Sequence, residues 1–341
     1  MLNSYLEKVI SGRDLTIPEM EKVMRTIMEG KATDSQIAGL LVALRMKGET
    51  IGEITGAARV MREKAVSIKG RTDKLVDTCG TGGDGSGTFN ISTTVAFVLA
   101  GAGLSVAKHG NRSVSSKSGS ADVLEALGVN LALSPGEVEA CVEEINLGFL
   151  FAPQFHQAMK YAIKPRRELG LRTIFNVLGP LTNPAGANYQ VLGVYDTSLV
   201  FPLTKVLKNL GVSGAMVVNG DGRVDEFSLT GANYVAYLHD GKIEELVVYP
   251  EEANLPRAGL KELTGGTPEE NKEIILDILR GKAGPKRDVV LFNAAAAFIV
   301  TGLVENWQEG VGLAAEIIDS GKAYQKLTEL IEFTNSRGLS A

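Results

Sequence analysis

The chain has 341 residues, of which 44% are hydrophobic and 22% are charged, and its formal net charge is −5. This composition supports a large buried core and excludes a mainly disordered chain, while the acidic balance argues against a general nucleic-acid binder. The two cysteines lie far apart in the sequence. Their spacing excludes a disulfide framework and a CxxC metal or redox pair, and it favours a reducing, cytoplasmic setting.

The first 70 residues predict an all-helical unit, because three segments carry the capping box, in which a hydroxyl and an acid or amide three residues later satisfy the first helical N–H groups. The three pairs are Thr16 with Glu19, Thr33 with Gln36, and Thr50 with Glu53. Gly30 and Gly48 follow two of these helices, where a left-handed residue ends a helix. The longest apolar run, residues 93–107, is shorter than the roughly 20 residues of a membrane helix, so no membrane span is expected.

From residue 75 onward, short apolar runs alternate with helical stretches, which predicts an α/β domain with a mostly parallel sheet. The predicted strands are residues 75–77, 104–107, 190–194, 214–218 and 289–292. The predicted helices are residues 93–102, 121–127, 136–144, 199–210 and one that starts near Pro153. Ligands of such sheets bind where the strands end and the loops start.

The glycine excess is concentrated in residues 80–119, which hold nine of the 39 glycines. Gly80, Gly82 and Gly85 formally fit GxGxxG, but no Asp or Glu occurs from Gly85 to Ala121, so the ribose-binding acid of a dinucleotide fold is missing. No Gly-Lys-Ser/Thr follows, which excludes a Walker loop. A loop of backbone amides followed by a helix start at residues 90–93 instead favours a polyphosphate site. The alternative is a plain turn with Asn90 as a helix cap.

A second loop, residues 108–120, carries three fixed cations, five serines and no acid. Its position one strand–helix unit after the glycine loop makes it a candidate second wall for a phosphorylated ligand. The alternative is a flexible, solvated linker. His109 lies in this loop and could act as a base, but a lone histidine is more often a hydrogen-bonding or packing group.

Two further features suggest ligand chemistry. Asp225 and Glu226 are adjacent acids in a glycine-rich turn, a pattern that suits Mg²⁺ held by carboxylates and substrate phosphates, although it also suits solvated surface. Asp84 and Ser92 are candidates to add oxygen contacts to that ion. Arg166 precedes Arg167 and Glu168 at a predicted helix end, where it fits either a substrate carboxylate clamp or a local ion pair.

Together these segments resemble the anthranilate phosphoribosyltransferases, the tryptophan-pathway family of the nucleoside-phosphorylase-like class. The segments that carry the resemblance are residues 77–84, 90–93, 108–113, 166–170, 176–184 and 225–226. The resemblance covers essentially the whole chain. It implies transfer of the phosphoribosyl group from phosphoribosyl diphosphate (PRPP) to the amine of anthranilate, giving N-(5-phosphoribosyl)anthranilate and diphosphate.

The resemblance also implies a role for individual residues. The PRPP-binding set is Gly80, Gly83, Asp84, Thr88, Asn90, Ile91, Ser92, Thr93, Lys108, His109, Gly110, Asn111, Arg112, Ser113, Val114, Ser115, Ser116 and Ser120. Anthranilate would contact Gly80, Asn111 and Arg166, with His109, His156 and Pro180 lining its approach. Up to two Mg²⁺ ions would be served by Ser92, Asp225 and Glu226. No residue is assigned as an essential acid or base, because an aniline nitrogen is neutral near pH 7.

The implied architecture is a helical domain, residues 1–70, joined by a returning segment near residues 165–190 to an α/β domain, residues 71–341. The implied active site lies at the hinge, and a homodimer would form through the helical domain. Two other interpretations stay open. A pyrimidine nucleoside phosphorylase of the same fold would not need the Asp225–Glu226 pair, and a non-catalytic nucleic-acid-binding relative fits poorly with the net charge of −5.

Overall fold

The computed structural model describes residues 2–68, 73–113 and 117–337, and it begins with an α-helical bundle. The bundle helices are α1 (Leu2–Ile10), α2 (Ile17–Met28), α3 (Asp34–Lys47) and α4 (Ile51–Lys64). All three predicted capping boxes are confirmed, with Thr16, Thr33 and Thr50 as N-caps. Glu53 does more than cap α4, because its buried carboxylate also accepts from the Leu15 amide at 2.9 Å and pairs with Lys47 at 3.0 Å. One buried acid thereby ties three parts of the bundle together.

Seven strands lie in the part of the chain that the structure describes, and they form one sheet in the order β3-β2-β1-β4-β5-β6-β7. The strands are β1 (Leu75–Gly80), β2 (Ser105–Gly110), β3 (Leu147–Phe151), β4 (Tyr189–Gly193), β5 (Gly214–Asn219), β6 (Asn233–His239) and β7 (Lys242–Val248). The first five in this order are parallel, while β6 and β7 add an antiparallel hairpin. The predicted α/β class with a mostly parallel sheet is confirmed.

The helices that follow the bundle cover both faces of the sheet, with two exceptions. The helices are α5 (Ile91–Gly101), α6 (Ser120–Ala126), α7 (Pro135–Ile145), α8 (Ala152–Phe155), α9 (Lys160–Leu169), α10 (Phe175–Leu178), α11 (Val200–Asn209), α12 (Pro268–Leu279), α13 (Pro285–Val300), α14 (Trp307–Asp319) and α15 (Lys322–Arg337). The exceptions are α9 and α10, which pack on the bundle. None of the described helices is both long and apolar enough to cross a bilayer.

Alternating strand residues divide the interior into two cores. Val191 and Met216 point to one face, where they join a core built with α5, α7, α13, α14 and α15. Leu192 and Val217 point to the other face and join the core of the bundle, α10 and α11. Because successive side chains of a strand face opposite sides, the sheet separates these cores while its strand ends remain open to the site.

Three predictions of secondary structure need correction. The strand predicted at residues 289–292 is wrong, since these residues lie inside α13; this helix is buried nearly all round, which removes the polar face that would have marked it as helical. The strands β3, β6 and β7 were not predicted. The helix expected from Pro153 is divided at His156, whose backbone (φ −110°, ψ 54°) is not helical, so that Arg166 belongs to a separate helix, α9.

Candidate active site at the carboxyl edge of the sheet

The site lies where the chain reverses the order in which it adds strands. From β1 the chain proceeds to β2 and β3 on one side, and then to β4 and β5 on the other. The loops after β1, β2, β4 and β5 therefore meet at one edge of the sheet, which is where parallel α/β sheets bind ligands. Gly80 and Gly193 end the neighbouring strands β1 and β4 and pair with each other.

Asp225 lies directly against this glycine pair. A Cβ on Gly193 would overlap the Asp225 backbone, and one on Gly80 would overlap its carboxylate. The loop after β5 crosses the ends of β1 and β4 only because both strands end in glycine. The acid pair, far away in sequence, is thereby brought onto the glycine loop.

The glycine loop has the backbone of an anion nest. Gly82, Gly83, Gly85 and Gly87 all have positive φ values between 67° and 75°, which turn successive amides the same way. The Gly82 amide donates to Asp225 Oδ2 at 2.7 Å, and the Asp225 amide donates to Asp84 Oδ2 at 3.3 Å. Thr88 lies at the end of this loop, where Ser86 Oγ is 3.3 Å from its hydroxyl.

Asn90 precedes α5, but its side chain does not cap the helix. Instead its amide donates to the Ser118 carbonyl at 3.2 Å, and its Oδ1 accepts from Asn271 at 2.9 Å. Asn90 therefore connects the glycine loop to the second loop, which argues against the plain helix-cap interpretation. Ile91 is buried in the core, so it can offer a ligand only main-chain groups, and Thr93 is a buried residue beside it.

The two carboxylates of Asp225 and Glu226 are partly buried at the N-terminus of α5. Burial, together with the charge of Asp84, raises the pKa of Asp225 to about 7. Burial and the adjacent Asp225 raise the pKa of Glu226 to about 8. Glu226 Oε1 accepts from the Ser92 amide at 3.2 Å, a contact that favours the charged form. Crowded acids of this kind suit a divalent cation, which would relieve their repulsion.

Lys108 supplies the opposite charge. Its ammonium group is buried, 2.5 Å from the Thr78 carbonyl and 3.2 Å from Ser92 Oγ. Its charge works against the rise in the pKa of Glu226. Ser92 thus contacts both charged groups, Lys108 through its hydroxyl and Glu226 through its backbone amide. No cluster of three His, Cys, Asp or Glu ligands occurs in the described residues. Mg²⁺ is commonly bound by one or two carboxylates together with waters and substrate phosphates.

The second loop folds back on the start of α6. Asp122 accepts from the Ser113 amide at 2.9 Å and the Gly119 amide at 2.8 Å, while Ser120 Oγ donates to the Asn111 carbonyl at 3.3 Å. Gly110 makes room for Ser120, whose hydroxyl an added Cβ would overlap. Asp122 thus holds Ser113 and Gly119, described residues on either side of residues 114–116, which argues against a plain linker there.

Arg112 does not point into the site in this structure. Its guanidinium pairs with Glu125 at 2.5 Å and with Asp122 at 3.2 Å, acids that directly follow the acid-free block. The predicted PRPP contacts Val114, Ser115 and Ser116 lie outside the described residues.

Arg166 is a half-buried cation without a carboxylate partner among the residues that the structure describes. Its guanidinium carbon lies 5.0 Å from the centroid of the Phe175 ring, and burial lowers its pKa. The ion pair with Glu168 that the sequence left open is not present. A buried guanidinium that lacks an acid is suited to bind an anionic ligand.

His109 and His156 form a buried pair with ring centroids 5.0 Å apart. Each hydrogen-bonds the backbone of the segment after α10, His109 at Gly179 and His156 at Thr182. The Nε2 atoms of both rings are buried without a hydrogen-bond partner. Pro180 lies in the same segment, and its carbonyl accepts from Gln190 at 2.7 Å. The predicted lining residues are thus brought together.

Sequence reasoning missed several residues that shape this site. Arg172 donates to the Gly83 carbonyl and stacks on Tyr195, with its guanidinium carbon 4.1 Å from the ring centroid. Asp77 is fully buried and accepts from the His109 amide at 3.3 Å. Asn293 was hidden in the region next to the wrongly predicted strand. A polar residue in an otherwise apolar run was the available signal for Asp77 and Asn293.

Comparisons with known proteins agree with this geometry. The chain matches the model described as "Glycosyl transferase family, helical bundle domain" over residues 3–65 and "Glycosyl transferase family, a/b domain" over residues 72–324. The anthranilate phosphoribosyltransferase of Petrotoga mobilis is 60% identical over 100% of this chain and 99% of its own. That of Acetivibrio thermocellus is 53% identical over 98% and 97%.

Solved structures give the same result. The anthranilate phosphoribosyltransferase of Thermus thermophilus superposes with a TM-score of 0.91 at 44% identity, covering 97% of this chain and 99% of its own. The Saccharomyces cerevisiae enzyme, solved in complex with PRPP and Mg, has a TM-score of 0.90 at 29% identity, covering 98% of each chain. The same yeast enzyme has also been solved with 4-fluoroanthranilate, with a TM-score of 0.89 at 28% identity and 98% coverage of each chain.

The buried histidines generate a prediction about pH. Burial, with the neighbouring His156 and Lys108, lowers the pKa of His109 to about 3, and burial lowers the pKa of His156 to about 4. The unfolded chain takes up these protons near pH 6.5, so the free energy of unfolding should fall as the pH drops from about 6.5 towards 4. NMR titration of the imidazole carbons, assigned with His109→Asn and His156→Asn, should show both rings neutral at about pH 5.5. Titration of either ring near 6.5 would contradict the prediction.

Proposed function

The chain belongs to the anthranilate phosphoribosyltransferase family, and we propose that its site binds PRPP, Mg²⁺ and anthranilate through the residues gathered at the carboxyl edge of the sheet. The enzyme transfers the 5-phosphoribosyl group to the amine of anthranilate and releases diphosphate, a step of tryptophan biosynthesis. The observation that carries the proposal for the site is the contact of the Asp225–Glu226 segment with the glycine loop and the first turn of α5.

PRPP is proposed to lie over the glycine loop and the start of α5. The nest amides from Gly82 to Gly87 and the N-terminus of α5 attract its diphosphate and phosphate groups. Lys108 adds a buried positive charge beside Ser92. The second loop, whose turn is fixed by Asp122, forms the opposite wall. Arg112 contributes to PRPP binding only if its pairs with Asp122 and Glu125 open.

Mg²⁺ fits the acid pair for a physical reason. Burial raises the pKa values of both acids, with the charge of Asp84 adding to the rise for Asp225 and the charge of Asp225 adding to the rise for Glu226. A divalent cation would reverse that balance. The amide of Ser92 contacts Glu226, and its Oγ is placed to help bind the cation or its waters. When bound, the metal neutralises the departing diphosphate. Two carboxylates leave room for one ion or, with substrate oxygens, up to two.

Anthranilate is proposed to enter between α9 and the segment after α10. Arg166, the unpaired half-buried cation, would bind the anthranilate carboxylate, and Asn111 and Gly80 would lie on its PRPP side. His109, His156 and Pro180 form the apolar and weakly polar lining. Because both imidazoles are neutral and their Nε2 atoms lack donors, this lining accepts an aromatic amine without a charge conflict.

This arrangement favours positioning over acid–base catalysis. Charge develops on the ribose ring as diphosphate leaves, and the neutral aromatic amine attacks from the opposite face. The chain holds the two partners in line and stabilises the leaving group through amides and Lys108. The buried histidines bind too weakly to protons to be charged near neutral pH. We therefore assign none of the described residues as an essential general base.

The proposed domain division places residues 1–70 in the helical domain and residues 71–341 in the α/β domain. The segment near residues 165–190 returns to the bundle, since Phe175, Leu178 and Leu181 belong to the bundle core. The site then lies between the two units, with Arg166 on the bundle side. The two cysteines are free and buried, which supports the further proposal of a cytoplasmic enzyme, testable by cell fractionation.

A homodimer through the bundle is proposed from an apolar groove between α1, α3 and α9. The groove is lined by residues such as Val9, Ile10, Val42 and Met46. Ile10 is 69% exposed and Met46 83% exposed, which is unusual for large apolar side chains that lie side by side. A second copy of the chain would cover them.

Arg166→Ala should raise the KM for anthranilate by at least about tenfold, because the carboxylate loses its charged partner, while the KM for PRPP changes by less than about twofold. Arg166→Lys should raise this KM less than Arg166→Ala does, because lysine keeps the positive charge but cannot make the two parallel hydrogen bonds of a guanidinium. Steady-state kinetics followed by the loss of anthranilate fluorescence measures both constants. Arg167→Ala, an exposed neighbour on the same helix, is the control. A larger effect on the KM for PRPP would refute the carboxylate clamp.

The double variant Asp225→Asn with Glu226→Gln should need a higher Mg²⁺ concentration for half-maximal rate and should turn over more slowly, because neutral amides bind the cation weakly. Magnesium titrations at saturating PRPP and anthranilate measure this change. Asp221→Asn, an exposed acid in the same loop, should behave as wild type. An unchanged magnesium titration in the double variant would instead assign the acid pair to solvated surface.

Met46→Glu combined with Ile10→Glu should convert the protein from dimer to monomer without unfolding it, since both side chains are already exposed within one chain. Multi-angle light scattering should show half the wild-type mass. Val247→Glu, on the exposed edge strand β7, is the matched control and should stay dimeric. A monomeric wild type, or a double variant that stays dimeric, would contradict the proposed interface.

A further inference from the structure

The Asp225–Glu226 segment lies in a bend outside the ladders of the sheet, directly after an isolated bridge between Gly220 and Val224. Before it, Val224 exchanges backbone hydrogen bonds with Gly220, at 2.8 and 3.1 Å. After it, Phe227 and Ser228 bond to side chains of two asparagines. The backbone of the acid pair is therefore held by hydrogen bonds at the residues on both sides of it, Val224 before and Phe227 and Ser228 after.

Asn293, on α13, pairs with Phe227 at two points. The Phe227 amide donates to Asn293 Oδ1 at 2.9 Å, and Asn293 Nδ2 donates back to the Phe227 carbonyl at 2.9 Å. The second Nδ2 hydrogen is used by the Val289 carbonyl at 2.8 Å, one turn earlier in α13. Two bonds to one residue fix both the position and the rotation of the backbone, which one bond cannot do. Asn293 is buried and uses both its amide donors and its acceptor oxygen.

Asn233, the first residue of β6, repeats this pattern on the next residue. The Ser228 amide donates to Asn233 Oδ1 at 2.7 Å, and Asn233 Nδ2 donates to the Ser228 carbonyl at 3.0 Å. Its Nδ2 also lies 3.1 Å from the Val248 carbonyl on β7. Asn233 is fully buried. Phe227 and Ser228, which are consecutive, are thus each held by two hydrogen bonds from an asparagine side chain, one on α13 and one on β6.

The Phe227 ring strengthens this anchor. It is fully buried and lies 5.2 Å from both Phe292 and Trp307, measured between ring centroids. Phe292 directly precedes Asn293, so α13 contacts Phe227 through its ring and its backbone together. Trp307 is the single tryptophan of the chain. Its fluorescence therefore reports on the packing beside the acid pair.

We infer that Asn293 and Asn233 are positioning residues for the carboxylates of Asp225 and Glu226, an inference that rests on the proposed magnesium role of that pair. Neither asparagine reaches the ligand. They hold the backbone from which two crowded, partly buried carboxylates project towards the glycine loop and α5. Because those carboxylates repel each other, the backbone must resist their separation until a cation binds. Side chains that orient metal ligands typically change metal affinity by about 10–100-fold when removed.

The test measures Mn²⁺ binding directly, with PRPP present and anthranilate omitted so that no turnover occurs. Electron paramagnetic resonance separates free from protein-bound Mn²⁺. Asn293→Leu keeps the branched shape and the number of side-chain heavy atoms but leaves the Phe227 amide and carbonyl unpaired, and it should weaken Mn²⁺ binding by at least about tenfold. Asn233→Ala should act in the same direction, and it decides the question if Asn293→Leu does not fold.

A matched control lies at the opposite edge of the sheet. Asn188 accepts from the Leu75 amide at 2.9 Å and donates to the Asp73 carbonyl at 2.8 Å, so it makes the same kind of two-point contact at the start of β1. Asn188→Leu should lower stability, followed by Trp307 fluorescence during chemical denaturation, but should leave Mn²⁺ affinity unchanged. An equal loss of affinity in Asn188→Leu and Asn293→Leu would overturn the inference, because general destabilisation would then explain both.

The double variant Asp225→Asn with Glu226→Gln distinguishes a failure of the proposed metal role of the acid pair from a failure of the positioning role of the asparagines. If it binds Mn²⁺ as wild type does, the proposed metal role of the acid pair fails, and the inference fails with it. If it loses Mn²⁺ while Asn293→Leu and Asn233→Ala both bind as wild type, only the inference is overturned. Loss in all three, with Asn188→Leu unaffected, is the expected result.

Discussion

The close approach of Asp225 to the ends of β1 and β4 is the constraint on which the site depends. Gly80 and Gly193 pair across these strands, and a side chain on either would displace Asp225. The contact brings residues about 145 positions apart (225 − 80) into one place, so the strand order determines the chemistry. The two glycines end β1 and β4, the neighbouring strands between which the order of strand addition reverses. The acid pair therefore lies at the position where parallel α/β sheets bind ligands.

Charge balance follows from that contact. Besides burial, the charge of Asp84 raises the pKa of Asp225, and the charges of Asp225 and Asp84 raise the pKa of Glu226, while Lys108 and the amide of Ser92 lower the pKa of Glu226. One cation does not neutralise three acids in a partly buried place. The remaining negative charge suits a divalent ion, and the surrounding amides suit the phosphate groups that would share it. Groups of both signs meet here because the carboxylates of a second loop lie against the amides of the glycine loop and of the first turn of α5.

The sequence predicted what depends on local spacing. The capping residues Thr16, Thr33 and Thr50 act within one helical turn, and the glycine loop required only left-handed backbone, so both could be read from neighbouring residues. The role of Asn90 could not, because its partners Ser118 and Asn271 come from distant loops. The strand predicted at residues 289–292 failed for a related reason: a helix buried on all sides loses the polar face that reveals its period.

That failure also hid the support of the acid pair. Because residues 285–300 form a helix, Asn293 lies one turn beyond Val289 and faces Phe227. Its polar side chain, within an otherwise apolar run, hydrogen-bonds both residues. A buried asparagine with every hydrogen-bonding group satisfied specifies one backbone path, whereas an apolar residue there would accept several. The metal-binding chemistry proposed for the site therefore begins in the core, where α13 and β6 set the direction of two carboxylates that they do not touch.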